Sequence, residues 1–70
     1  GPSILNTDTL VKWEKKSGAK AYRIEILLND HGKPVASQMA KSEQTTAKLS
    51  PLTREKLEHN KHYIVRVLSE

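Results

Sequence analysis

The alternation at residues 21–26 constrains this chain most. Tyr22, Ile24 and Ile26 alternate with Ala21, Arg23 and Glu25. A period of two puts the three large apolar side chains on one face of a strand, whereas a helix would scatter them. A second run repeats the pattern, with Tyr63, Val65 and Val67 alternating with Ile64, Arg66 and Leu68. Two half-buried strands of this kind must pair their backbones in sheets and cover their apolar faces with something else.

Shorter segments supply that cover. Val11 and Trp13 share one side of a strand whose other side carries Lys12 and Glu14. Residues 35–40 form a further strand with Val35, Ser37 and Met39 on one side, and residues 45–49 another with Ala47 and Leu49 inward. The predicted core is Val11, Trp13, Tyr22, Ile24, Ile26, Leu49, Leu57, Tyr63, Val65 and Val67.

Turn chemistry separates these strands. Ser17-Gly18 reads as a turn, and the run from Asn29 to Pro34 as a hairpin loop in which Gly32 takes a positive φ. Pro34 cannot donate to a ladder, which places the strand it opens at a sheet edge. Ser50-Pro51 caps a single helical turn, with proline at its first position. Strands recur at a spacing of roughly ten residues, which predicts an all-β sandwich or barrel of about five to six short antiparallel strands. No helical pattern is long enough for the crossovers of a parallel sheet.

At 70 residues the chain is one domain, and it has no cysteine, so apolar packing alone must hold it. Gly1-Pro2-Ser3 reads as the scar of a cleaved expression tag, leaving residues 4–70 as a single domain excised from a larger protein. No stretch approaches the roughly 20 apolar residues of a membrane span.

Several residues together resemble a fibronectin type III domain. Val11-Lys12-Trp13 is similar to that family's early Val-x-Trp element, and Tyr22 to Ile26 to the strand that follows it. Leu57 stands six residues before Tyr63, and Asn60 occupies a place the family gives to glycine. The resemblance covers about residues 9–68 and implies an immunoglobulin-like β-sandwich with a tyrosine corner, in which the Tyr63 hydroxyl bonds back to upstream backbone. Two departures stand out. The first strand shrinks to about residues 3–5, and the final strand, which would pair with the Tyr63 strand, is missing. The expected consequence is an open edge over residues 64–68, available to a partner peptide or a second copy.

Catalytic patterns are absent. Nucleophiles reduce to serine and threonine, with no Gly-x-Ser-x-Gly elbow, and the three glycines are too isolated for a phosphate loop. His59 and His62 lie three apart with His31 distant, which is not a zinc set, so neither cofactor nor metal is expected. The net charge of +4 gathers partly at Lys12, Lys15, Lys16, Lys20 and Arg23. With no exposed aromatic platform among them, nucleic acid is disfavoured as a partner.

The expected function is that of a non-catalytic interaction or spacer module, with Ile64, Arg66 and Leu68 at the partner-binding edge and no small-molecule substrate. Two alternatives stay open: an accessory module beside the catalytic domain of a secreted, bacterial-type enzyme, and a basic nucleic-acid-associated module of an intracellular protein. Compartment is left open, an extracellular or cell-surface setting being somewhat preferred.

Overall fold

The computed structural model describes residues 3–6 and 8–70. Gly1 and Pro2, two of the three residues read as a tag scar, lie outside the described residues. The elements run β1 (Ser3–Ile4), β2 (Leu10–Lys12), β3 (Ala21–Leu27), β4 (Ala36–Lys41), β5 (Thr46–Lys48), α1 (Pro51–Glu55) and β6 (His62–Ser69). Among the described residues the fold is mostly β, with two antiparallel sheets and one short helix. Four strands form one sheet in the order β1-β6-β3-β4, and β2 pairs with β5 in the other.

The two long alternating segments are neighbours at the centre of the larger sheet. Tyr22 faces Ser69, Ile24 faces Val67 and Ile26 faces Val65 across the β3–β6 ladder. Their inward side chains meet Val11 from β2 and Leu49 from the end of β5 in one apolar cluster. Tyr22, Ile24 and Ile26 are almost wholly buried, and Tyr63 nearly so. Trp13, Leu57, Val65 and Val67 pack against the cluster while keeping part of their surface in water. The Trp13 ring lies tilted on Tyr22 with centroids 5.5 Å apart, an aromatic arrangement favoured over a face-to-face sandwich.

Local chemistry closes the connections. Gly18 has φ 81°, and Ala19 N–H donates to Lys16 O across it, the left-handed position that a non-glycine residue resists. In the β3–β4 hairpin the Asn29 side chain carries the turn, its Oδ1 accepting His31 N–H at 2.9 Å. Gly32 does not take the expected positive φ, because the asparagine side chain supplies the bend. Ser50 caps α1, its hydroxyl accepting Thr53 N–H, and Pro51 opens the helix.

Strand β4 lies at a sheet edge, with its Ser37 and Met39 side turned to solvent. Ala36 and Ala40 are buried and Gln38 is half-buried, whereas Met39 is exposed by 55 % and Ser37 is exposed. The ladder begins at Ala36 rather than Val35, pairing Ala36 with Ile26, and this register selects small residues for the core face. Gln38 uses its inward position to bridge the sheets. Its amide nitrogen donates to Lys48 O at 3.0 Å, and its amide oxygen accepts Ser50 N–H at 2.9 Å. One side chain thereby stands in for a peptide group where the chain leaves the β5 ladder after Lys48.

Candidate functional site

The edge of the larger sheet beyond β6 is the candidate site. Strand β1 covers only its start, with Ser3 opposite Tyr63 and Ile4 opposite His62. This N-terminal segment covers two positions of β6 just before the stretch 64–68 expected to be open.

From residue 64 onward, β6 pairs with β3 on one side only, among the described residues. In an antiparallel ladder, alternate residues point both backbone groups at the same neighbour. Glu70 N–H donates to Ala21 O at 2.9 Å, and Glu70 O accepts Lys20 N–H, which sets the phase. Leu68, Arg66 and Ile64 therefore direct their N–H and C=O groups to β3. Val65, Val67 and Ser69 direct theirs outward. The open edge thus consists of alternate residues rather than the whole stretch 64–68. The side chains of Ile64, Arg66 and Leu68 border it on the sheet face turned away from the core.

That face is built rather than merely wet. Glu25 projects from it with its side chain only 8 % exposed, and Arg66 clasps one of its oxygens through Nε at 2.9 Å and Nη2 at 2.7 Å. Arg23 approaches the other oxygen at 4.0 Å and binds Glu70 at 2.8 Å. A chain of alternating charge, Arg66–Glu25–Arg23–Glu70, therefore crosses from β6 to β3 and returns to residue 70. Leu27 lies beside it, 1 % exposed on the face opposite the main core, and faces Ile64 across the ladder. Leu68 stays 36 % exposed between the charged rows. The face thus interleaves the apolar Leu27, Ile64 and Leu68 with side chains of opposite charge.

Tyrosine hydroxyls fix both loops that flank the central strands. Tyr63 Oη accepts Glu58 N–H at 2.7 Å, five residues upstream, and Tyr22 Oη accepts Lys16 N–H at 2.9 Å, six upstream. Asn60 turns the first of these loops with φ 57°, the left-handed conformation asparagine tolerates. Lys61 donates to Glu58 at 2.8 Å across the same corner. That hydrogen bond first, and the lysine charge second, hold the Glu58 carboxyl below the usual carboxylate range. The same contacts raise the Lys61 ammonium above its ordinary value.

Other concavities carry little chemistry. A cleft of about 230 Å³ lies beside the corner, with Leu5, Leu49, Leu57, Arg54 and His59 in its lining. Among the described residues no three His, Asp or Glu side chains converge as metal ligands. Among the described residues no helix is long and apolar enough to cross a membrane. No protein-family model, curated protein or solved structure matches this chain.

Proposed function

We propose that the chain is a non-catalytic interaction or spacer module, an immunoglobulin-like β-sandwich of the fibronectin type III kind belonging to a multidomain protein. Its partner is a protein segment that adds an extended strand to the edge of β6. The shared core of the two sheets supports the sandwich reading, and so does the Tyr63 hydroxyl bond to Glu58 five residues upstream. The interaction reading rests on one observation: Val67 and Ser69 aim backbone donors and acceptors outward with no partner among the described residues. Such an edge is a template for strand addition, in which main-chain bonds supply affinity and flanking side chains supply specificity.

Titration of the labelled protein with extended peptides tests this. Binding that shifts and protects the Val67 and Ser69 amides is the expected result. Perturbation centred on the loops or the β4 edge, with residues 67 and 69 unchanged, contradicts it.

A further inference from the structure

The open edge of β6 is complementary to itself. Two outward-facing residues, Val67 and Ser69, bracket Leu68, whose side chain stands exposed on the outer face. Suppose a second β6 is laid antiparallel against the first, with Leu68 opposite Leu68 of the other copy. Val67 then faces Ser69 of the copy, and Ser69 faces its Val67. Both pairs are of the type that exchanges two N–H···O=C bonds. On the outer face, Arg66 comes opposite Glu70 of the other copy, and Glu70 opposite its Arg66. Opposite charges sit directly across the ladder on both sides of a Leu–Leu contact.

Two features of the free chain favour this register. Arg66 and Glu70 are the two ends of the Arg66–Glu25–Arg23–Glu70 network, and their side chains keep 45 % and 39 % of their surface exposed. Each end therefore has surface left for a further partner, and the two ends are of opposite sign. The register also keeps clear of β1, which covers residues 62 and 63. Shifting the two-fold axis to Arg66 would set two arginines against each other and press the incoming strand onto β1.

We infer that the occupant of this edge is a second copy of the chain, joined β6 to β6 in an antiparallel two-fold pair centred on Leu68. The two larger sheets then run as one through the interface, with the charge network continuous across it. The inference rests on the open-edge reading of function and narrows it to self-recognition. With so few main-chain bonds the pair is weak, forming at high local concentration such as that of tandem or clustered modules.

Sedimentation velocity from about 10 µM to about 1 mM, a span that covers weak association, tests it. The expected result is a mass rising from one chain toward two. Ser69→Pro, which removes one outward N–H that β3 does not use, should hold the protein at one chain throughout. Leu68→Lys, which sets like charges at the two-fold axis, should do the same and serves if the proline variant does not fold. The near-ultraviolet circular dichroism of Trp13 reports folding of both. A single-chain mass at every concentration overturns the proposal, and so does a dimer that folded Ser69→Pro or Leu68→Lys leaves intact. If the protein stays single yet an extended peptide protects the Val67 and Ser69 amides, self-pairing falls and the open-edge reading stands. If neither partner protects them, both fall.

Discussion

The Glu58 backbone N–H donates to the Tyr63 hydroxyl at 2.7 Å, closing a loop whose turn residue, Asn60, is left-handed. This bond ties the start of β6 to the chain leaving α1, so it orients the strand that carries the open edge. Tyr63→Phe keeps the ring in the core and removes only the acceptor. It should cost about 1 kcal/mol, the usual net worth of one such bond when the abandoned N–H can reach water. The midpoint of urea unfolding reads this directly, with an unchanged slope if the fold is retained.

Trp13 contributes by packing. Its ring lies on Tyr22, yet its indole N–H is buried without a hydrogen-bond partner among the described residues. Trp13→Ala should cost about 3 kcal/mol, the low end for a large aromatic because the residue is only half-buried. Trp13→Phe should cost less than half of that, since it sheds an unsatisfied donor along with some volume. Thermal melts of the two variants check the order. Equal losses would contradict the unsatisfied-donor account.

Gln38 joins the two sheets through Lys48 O and Ser50 N–H. Gln38→Ala should cost about 1–2 kcal/mol, since it strands two backbone groups at once. Gln38→Glu should be worse at neutral pH than at low pH. A carboxylate can accept from Ser50 but cannot donate to Lys48. Unfolding measured at both pH values separates the two.

Glu58 and Lys61 define a small pH dependence. The lysine holds the glutamate below its ordinary value, so their stabilising contact is present above the unfolded carboxyl pKa and fades as pH falls through the folded one. At the other end, the raised lysine loses its contribution as pH rises through its folded pKa. Both side chains are solvent-exposed, so the effect on stability is slight. Lys61→Met should let the Glu58 carboxyl titrate at higher pH by NMR while barely moving the unfolding midpoint.

The strands β3 and β6 were legible because large apolar residues alternate with charged ones without interruption. The turn at Ser17-Gly18 and the Ser50 cap were legible because their chemistry is local. Strand β4 was harder. Its core side is made of Ala36, Gln38 and Ala40, while bulkier Met39 points outward, so side-chain size does not mark the core face and only pairing with β3 decides the register. The burial of Glu25 and Leu27 depends on which residues stand across the ladder, Arg66 and Ile64, and no pattern within one strand states that. Likewise, a two-residue strand such as β1 has no periodicity to read, so its place against Tyr63 came only from the structure. At the edge itself, alternation of side chains marks Ile64, Arg66 and Leu68. The backbone phase, which turns the groups of Val65, Val67 and Ser69 away from β3, needs the partner strand.

Residue-resolved amide hydrogen exchange on dilute, single-chain protein tests that assignment most directly. The account predicts an alternation within β6: Arg66 and Leu68 protected by β3, Val67 and Ser69 exchanging fast. Uniform protection of all four, or the opposite alternation, would contradict it.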